Sequence, residues 1–147
     1  MTRHEAIADM LHSQGYSCSQ AVLGAFSDVV GVDQKMLFKL AAGFGGGIAD
    51  MREVCGAVIA LAMVVDLVYA EGAPDGRQRA ANDYPRLREL AEAFRRENGS
   101  IVCRELLGMN GTKRVRPLGK TCHDMVCDTA RLVDAYLEAH PANRAGN

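Results

Sequence analysis

The chain has 147 residues, the length of one domain, and enough to bury about two thirds of the surface an unfolded chain exposes without disulfides or metals as structural props. Its 17 basic and 18 acidic residues leave a formal net charge of -1, and their interspersion offers no field of one sign for nucleic acid or an anionic membrane. The opening MTRHEAIADMLHSQG is polar and amphipathic, unlike the charged start and apolar run of a secretory signal, so a cytoplasmic protein is expected.

Helical periodicity dominates and no run of strand length alternates, so the expected fold is all-α. It is read as a single-domain bundle of about six to seven helices over residues 1–140, with a flexible tail over 141–147. The first helix is expected from about Arg3 to Ser13, with Ile7, Ala8 and Leu11 as its apolar face and Gly15 as its stop. A second begins near Cys18, carries Ala21, Val22, Ala25 and Phe26, and ends before Gly31. The third runs from about Asp33 to Ala42 and leads into GFGGG; the fourth spans Met51 to about Tyr69. The stretch from Val54 to Ala70 carries Asp66 and falls short of the roughly 20 apolar residues of a membrane span, so it reads as a core helix. EGAPDG then breaks the chain before one long amphipathic helix or two shorter ones reaching Asn98-Gly99, with Pro85 suited to a helix start. A short helix from Ile101 to Leu107, the basic loop GMNGTKRVRPLGK and a last helix from Cys122 to about Ala139 complete the order.

Five cysteines in a reducing cytosol are expected as reduced thiols, metal ligands or redox catalysts rather than as a disulfide framework, and the odd number points the same way. The alternative is that they serve as small buried hydrophobes. Capping residues place them. Ser17 with Gln20 puts Cys18 first in its helix, Asp50 with Glu53 puts Cys55 in a first turn and a half, Ser100 puts Cys103 third, and Thr121 with Asp124 puts Cys122 first. Four cysteines thus fall at four helix N-termini, where unpaired N–H groups and the positive end of the dipole stabilise a thiolate. Thiolate is the form that attacks disulfides and binds metal. Cys127 lies inside the last helix, about 140° round from Cys122 on a 3.6-residue period, and reads as core or surface. The four are 37, 48 and 19 residues apart, so there is no CxxC pair and any site must be assembled by the fold from distant segments.

Other residues have two readings each. Gly56 either lets another helix end or a cofactor approach the sulfur beside it, or serves tight helix packing. GFGGG follows a helix rather than a strand, so a helix–helix turn is expected in place of a phosphate cradle. His123, next to Cys122, reads as a base or ligand, or more simply as a solvated first-turn histidine. Lys113, Arg114, Arg116 and Lys120 suit either an acidic partner or a solvated loop, and Met36, Met51 and Met63 are expected as core filler.

YSCSQAVLGAF, GFGGGIADMREVCGAVIALAM, ENGSIVCRELLG and CHDMVCDTARLV, taken in order, resemble the C_GCAxxG_C_C family of redox-active proteins, named for its cysteine pattern. The similarity covers nearly the whole chain. It implies an all-helical domain whose pattern cysteines are Cys18, Cys55, Cys103 and Cys122, and a link to redox or iron–sulfur functions. The pattern's Gly-Cys-Ala reads here as Cys55-Gly56-Ala57, Ala60 stands where a glycine is expected, and Cys127 lies outside the pattern.

The leading expectation is a cytosolic helical redox domain in which Cys18, Cys55, Cys103 and Cys122 converge, either to ligate an iron–sulfur cluster for electron transfer or to exchange between dithiol and disulfide. Gly56 is the expected close neighbour of a cofactor. A zinc or other metal-binding module without turnover, and a helical interaction protein with inert buried thiols, are the alternatives. A redox partner protein or a small thiol or disulfide is the expected partner, with no nucleic acid and no membrane, and a homo-oligomer is compatible with the sequence.

Overall fold

The computed structural model describes residues 1–141 and is all-α; the expected tail, apart from Pro141, lies outside the described residues. Thr2 closes a capping box with Glu5 and starts α1 (Arg3–Ser13). Ser17 does the same with Gln20 for α2 (Cys18–Ala25). The expected second helix is interrupted at Phe26, which leaves helical geometry before α3 (Ser27–Val30) and the left-handed Gly31. Asp33 caps α4 (Gln34–Ala41), and α5 follows at Gly56–Tyr69. Next come α6 (Gly76–Gln78), a π-helical turn over Arg79–Asp83 and α7 (Tyr84–Asn98), which run on without a break. The chain closes with α8 (Cys103–Leu107) and α9 (Cys122–Ala139), the latter started by the Thr121–Asp124 capping box.

α2 packs against α1, α4, α5 and α9, and α5 against α2, α9 and α7. Phe26, Phe94, Leu23, Leu37, Leu61 and Leu106 are the largest fully buried apolar side chains, each contributing about 1.5–3 kcal/mol by its removal from water. α5 is apolar nearly all round because it runs through this core; its 14 residues span only about 21 Å. Among the described residues no helix is long and apolar enough to cross a membrane. His4 is buried at the other end of α1, bonding Asp134 of α9 at 2.6 Å and Asp28 of α3 at 2.9 Å, so that one imidazole ties three helices together.

The segment between α4 and α5 departs furthest from expectation. Gly46, Gly47, Ile48, Ala49 and Asp50 have φ of 67, 69, 66, 48 and 59°, and Arg52 of 60°, so five successive residues form a left-handed turn. Each non-glycine residue held there costs about 1–2 kcal/mol, and such strain persists only where surrounding contacts impose it. Backbone hydrogen bonds from Arg52 N–H to Gly46 at 3.0 Å and from Glu53 N–H to Gly47 at 2.9 Å close the turn. The helix expected from Met51 therefore starts only at Gly56, and Asp50 with Glu53 forms no cap: a local capping pattern cannot register a turn of the opposite hand.

Beyond the turn the chain pairs with the segment ahead of α8. Val54 and Val102 form an antiparallel bridge, the one β-pairing among the described residues. Cys55 N–H donates to Ile101 at 2.8 Å, Cys103 N–H to Glu53 at 2.6 Å and Arg104 N–H to Arg52 at 3.1 Å. This pairing displaces Ser100 from the expected cap. Val102 is the N-cap of α8, Ser100 instead receives the Val102 N–H and donates to Glu105, and Cys103 is first rather than third in its helix. Met36 and Met51 are exposed, contrary to their expected place in the core, because Met36 lies on the solvent face of α4 and Met51 on the outside of the turn; Met63 does pack against the core.

Candidate functional site

Cys18, Cys55, Cys103 and Cys122 all line one pocket of about 230 Å³. Cys18 is the first residue of α2, Cys103 of α8 and Cys122 of α9, and Cys55 is the N-cap of α5. Four helix starts thus bring four sulfurs to one place although three of the sequence intervals exceed 18 residues. The Val54–Val102 bridge sets Cys55 opposite Ile101 and Cys103 opposite Glu53, so the two cysteines lie diagonally on one face of the pairing, and the left-handed turn forms another wall through Gly46 and Gly47. All five cysteines are free thiols.

Glycine is required where the pocket is tightest. A Cβ at Gly56 would lie 2.7 Å from Cys18 Sγ and 2.6 Å from the Phe44 carbonyl oxygen. The residue beside Cys55 therefore clears room for a different sulfur, that of Cys18, to reach the start of α5. A Cβ at Gly47 would lie 2.7 Å from both Cys103 Cβ and Glu53 N. GFGGG is a turn between helices, as expected, but its last two glycines wrap the thiols.

The electrostatics are not those expected of helix starts. Burial pushes the Cys18 thiol up, only partly opposed by the backbone N–H groups of Gly46 and Ser19. Burial and then the neighbouring Cys18 push Cys55 up to about 12, with the N–H groups of Ala57 and Val58 opposing. Desolvation outweighs the helix ends at both sulfurs, which stay protonated at neutral pH unless a cation displaces their protons. Two guanidiniums face the other pair: that of Arg52, which the sequence did not single out, lies with Nη1 3.8 Å from Cys103 Sγ, and that of Arg116, expected for an acidic partner or a solvated loop, with Nη1 3.6 Å from Cys122 Sγ. Each offers positive charge to an anionic sulfur. Of the basic loop, Arg116 and Lys120 are thereby engaged, Lys120 with Asp128 at 2.5 Å.

His123 is not a solvated first-turn histidine. Its Nε2 pairs with Asp9 and its Nδ1 with His12 Nδ1 at 2.7 Å, and His12 also lines the thiol pocket. Burial, then His123, lowers the pKa of His12 against the opposing pull of Asp9. Cys127 is buried nearby, 4.0 Å from Asp9 Oδ1; burial and the surrounding carboxylates push its thiol up to about 11. A larger groove of about 590 Å³, lined by Leu23, Leu67 and Tyr84 among others, includes the half-buried Asp66 but no cysteine.

The profile of the family described as "Putative redox-active protein (C_GCAxxG_C_C)" matches residues 16–136. The chain belongs to this family. No curated protein and no solved structure matches it. The C_GCAxxG_C_C match spans the four cysteines that share the pocket, together with the turn and the bridge that position them.

The rank of the thiols can be tested on the metal-free, reduced chain. Iodoacetamide at pH 7 is expected to modify the exposed Cys122 first, and Cys55 and Cys127 last, because only the thiolate attacks and burial withholds both it and access at the latter two. Modification of Cys127 should accelerate as pH rises toward 11. Peptide mapping reads the order; Cys127 reacting ahead of Cys122 contradicts it.

Proposed function

We propose that Cys18, Cys55, Cys103 and Cys122 together hold an iron–sulfur cluster and that the protein transfers electrons through it to a redox partner protein in the cytoplasm. The observation that carries this reading is the convergence of four thiols from four separate helix starts on one pocket of about 230 Å³. Four sulfur donors are the ligand chemistry of zinc or of an iron–sulfur cluster. Among the described residues the four thiols do not form a donor group within 4.8 Å of one another, a wider spacing than a single ion held by four sulfurs at about 2.3 Å calls for, which favours the cluster.

Bound there, a cluster supplies one-electron transfer. The chain's own residues supply the rest. Gly56 and Gly47 keep the space beside Cys18 and Cys103 free of side chains. Gly46 and Ser19 direct backbone N–H groups at Cys18, and Arg52 and Arg116 donate to Cys103 and Cys122. Hydrogen bonds to the sulfurs and positive charge beside them raise the potential at which such a site accepts an electron. Leu106 and Met125 add apolar lining beside the sulfurs.

Iron, sulfide and zinc analysis of the chain purified without oxygen tests the assignment. Iron and acid-labile sulfide in comparable amounts, absent from Cys18→Ser and Cys103→Ser, are expected. A chain carrying stoichiometric zinc and no iron overturns the electron-transfer reading in favour of a metal-binding module without turnover.

A further inference from the structure

We infer that Asp9, His123 and Cys127 form a second metal site, separate from the thiol pocket, that takes a borderline divalent cation of the Zn²⁺ type. One donor atom from each of the three lies within 4.8 Å of the other two. The set mixes carboxylate oxygen, imidazole nitrogen and thiolate sulfur, a combination that suits Zn²⁺ and excludes the all-oxygen preference of Mg²⁺ and Ca²⁺.

The fold presents these groups as a clamp. His123 and Cys127 are four residues apart on α9, so they share a helix face one turn apart. Asp9 reaches them from α1, which packs along α9. His123 and Asp9 are 33% and 41% exposed while Cys127 is 8% exposed, so the ion enters from solvent and seats its softest ligand on the inside. His12, three residues after Asp9 on α1, supports the site without ligating it: its Nδ1 meets His123 Nδ1 at 2.7 Å. A histidine ligand whose other ring nitrogen is held by a neighbour is fixed in tautomer and orientation.

The proton balance is defined. Coordination through His123 Nε2 displaces the proton between that nitrogen and Asp9 to solvent, while the Nδ1–Nδ1 hydrogen bond to His12, with one proton between the two nitrogens, is kept. Cys127 loses its thiol proton to solvent as the sulfur binds. Three protein ligands leave the fourth tetrahedral position to water. None of the three ligands lines the four-thiol pocket, although His123 directly follows Cys122 and His12 borders both sites.

Co²⁺ is the probe, titrated anaerobically into the metal-free, reduced full chain and read by its sulfur-to-cobalt charge-transfer absorption. The Cys18→Ser/Cys103→Ser variant, which removes two thiols of the other pocket, is expected to retain one bound Co²⁺ with this band. Adding Cys127→Ala to it should abolish the band, and His12→Ala should raise Kd by about tenfold or more. If the double variant does not fold, the comparison is made in the wild-type background, where Cys127→Ala or the surface change Asp9→Asn should reduce the bound Co²⁺ by one equivalent. Cys127→Ala and Asp9→Asn binding as many ions as the wild type, at the same affinity, overturn the site.

Discussion

Gly47→Ala is expected to lower the unfolding free energy of the metal-free chain by about 2–5 kcal/mol, the sum of a left-handed penalty and an overpacking penalty. Gly47 has a φ of 69°, and its new methyl would sit 2.7 Å from Cys103 Cβ, 2.7 Å from Glu53 N and 2.9 Å from the Arg52 carbonyl carbon. Two of those three contacts are backbone atoms in a segment held by the Val54–Val102 bridge, so they cannot swing aside as a side-chain tip would. A domain of this size has only about 5–15 kcal/mol in total. Gly15→Ala is the control. At φ 104° it is also left-handed, but a methyl there meets nothing within 4 Å, and the loss should stay near 1–2 kcal/mol. Urea denaturation compares the two; equal losses would mean that crowding at the thiol pocket adds nothing.

The second large effect concerns Cys55. Both Cys55→Ala and Cys55→Ser should abolish cofactor binding while leaving the helical circular dichroism and cooperative melting of the metal-free chain nearly unchanged. Serine separates the roles. Cys55 is the N-cap of α5 with φ -52° and ψ 129°, and no side-chain cap hydrogen bond forms there. A serine oxygen at an N-cap accepts a backbone N–H from the first turn and stabilises a helix by about 1 kcal/mol relative to alanine. Cys55→Ser should therefore melt no lower than Cys55→Ala although the site is buried, and neither variant should take up iron. Retention of full redox behaviour by Cys55→Ala would make Cys55 a packing residue and remove it from the site.

What was legible in the sequence follows the range of the forces involved. The capping boxes of α1, α2 and α9 are local, made by residues three apart, and they place Cys18 and Cys122 correctly from sequence alone. The helix-start rule survives at Cys55 and Cys103 for a different reason than the one expected: neither Asp50 nor Ser100 is a cap, and both cysteines are set by the bridge between segments nearly 50 residues apart. Ile48, Ala49 and Asp50 in a left-handed turn run against their own preferences, so no propensity argument finds them. Arg52 with Cys103 and His12 with His123 are 51 and 111 residues apart, and only the packed helices bring them together. The thiol electrostatics reversed sign at Cys18 and Cys55 because burial cannot be read from a helix start.

The cluster assignment is decided by the visible absorption of the chain, purified without oxygen and cycled between a one-electron reductant and mild reoxidation. Absorption that bleaches on reduction and returns on oxidation is expected in the wild type, and none in variants lacking Cys18, Cys55, Cys103 or Cys122. A colourless chain whose titratable thiols fall from five to three on mild oxidation would contradict it, and would assign the pocket to dithiol–disulfide exchange instead.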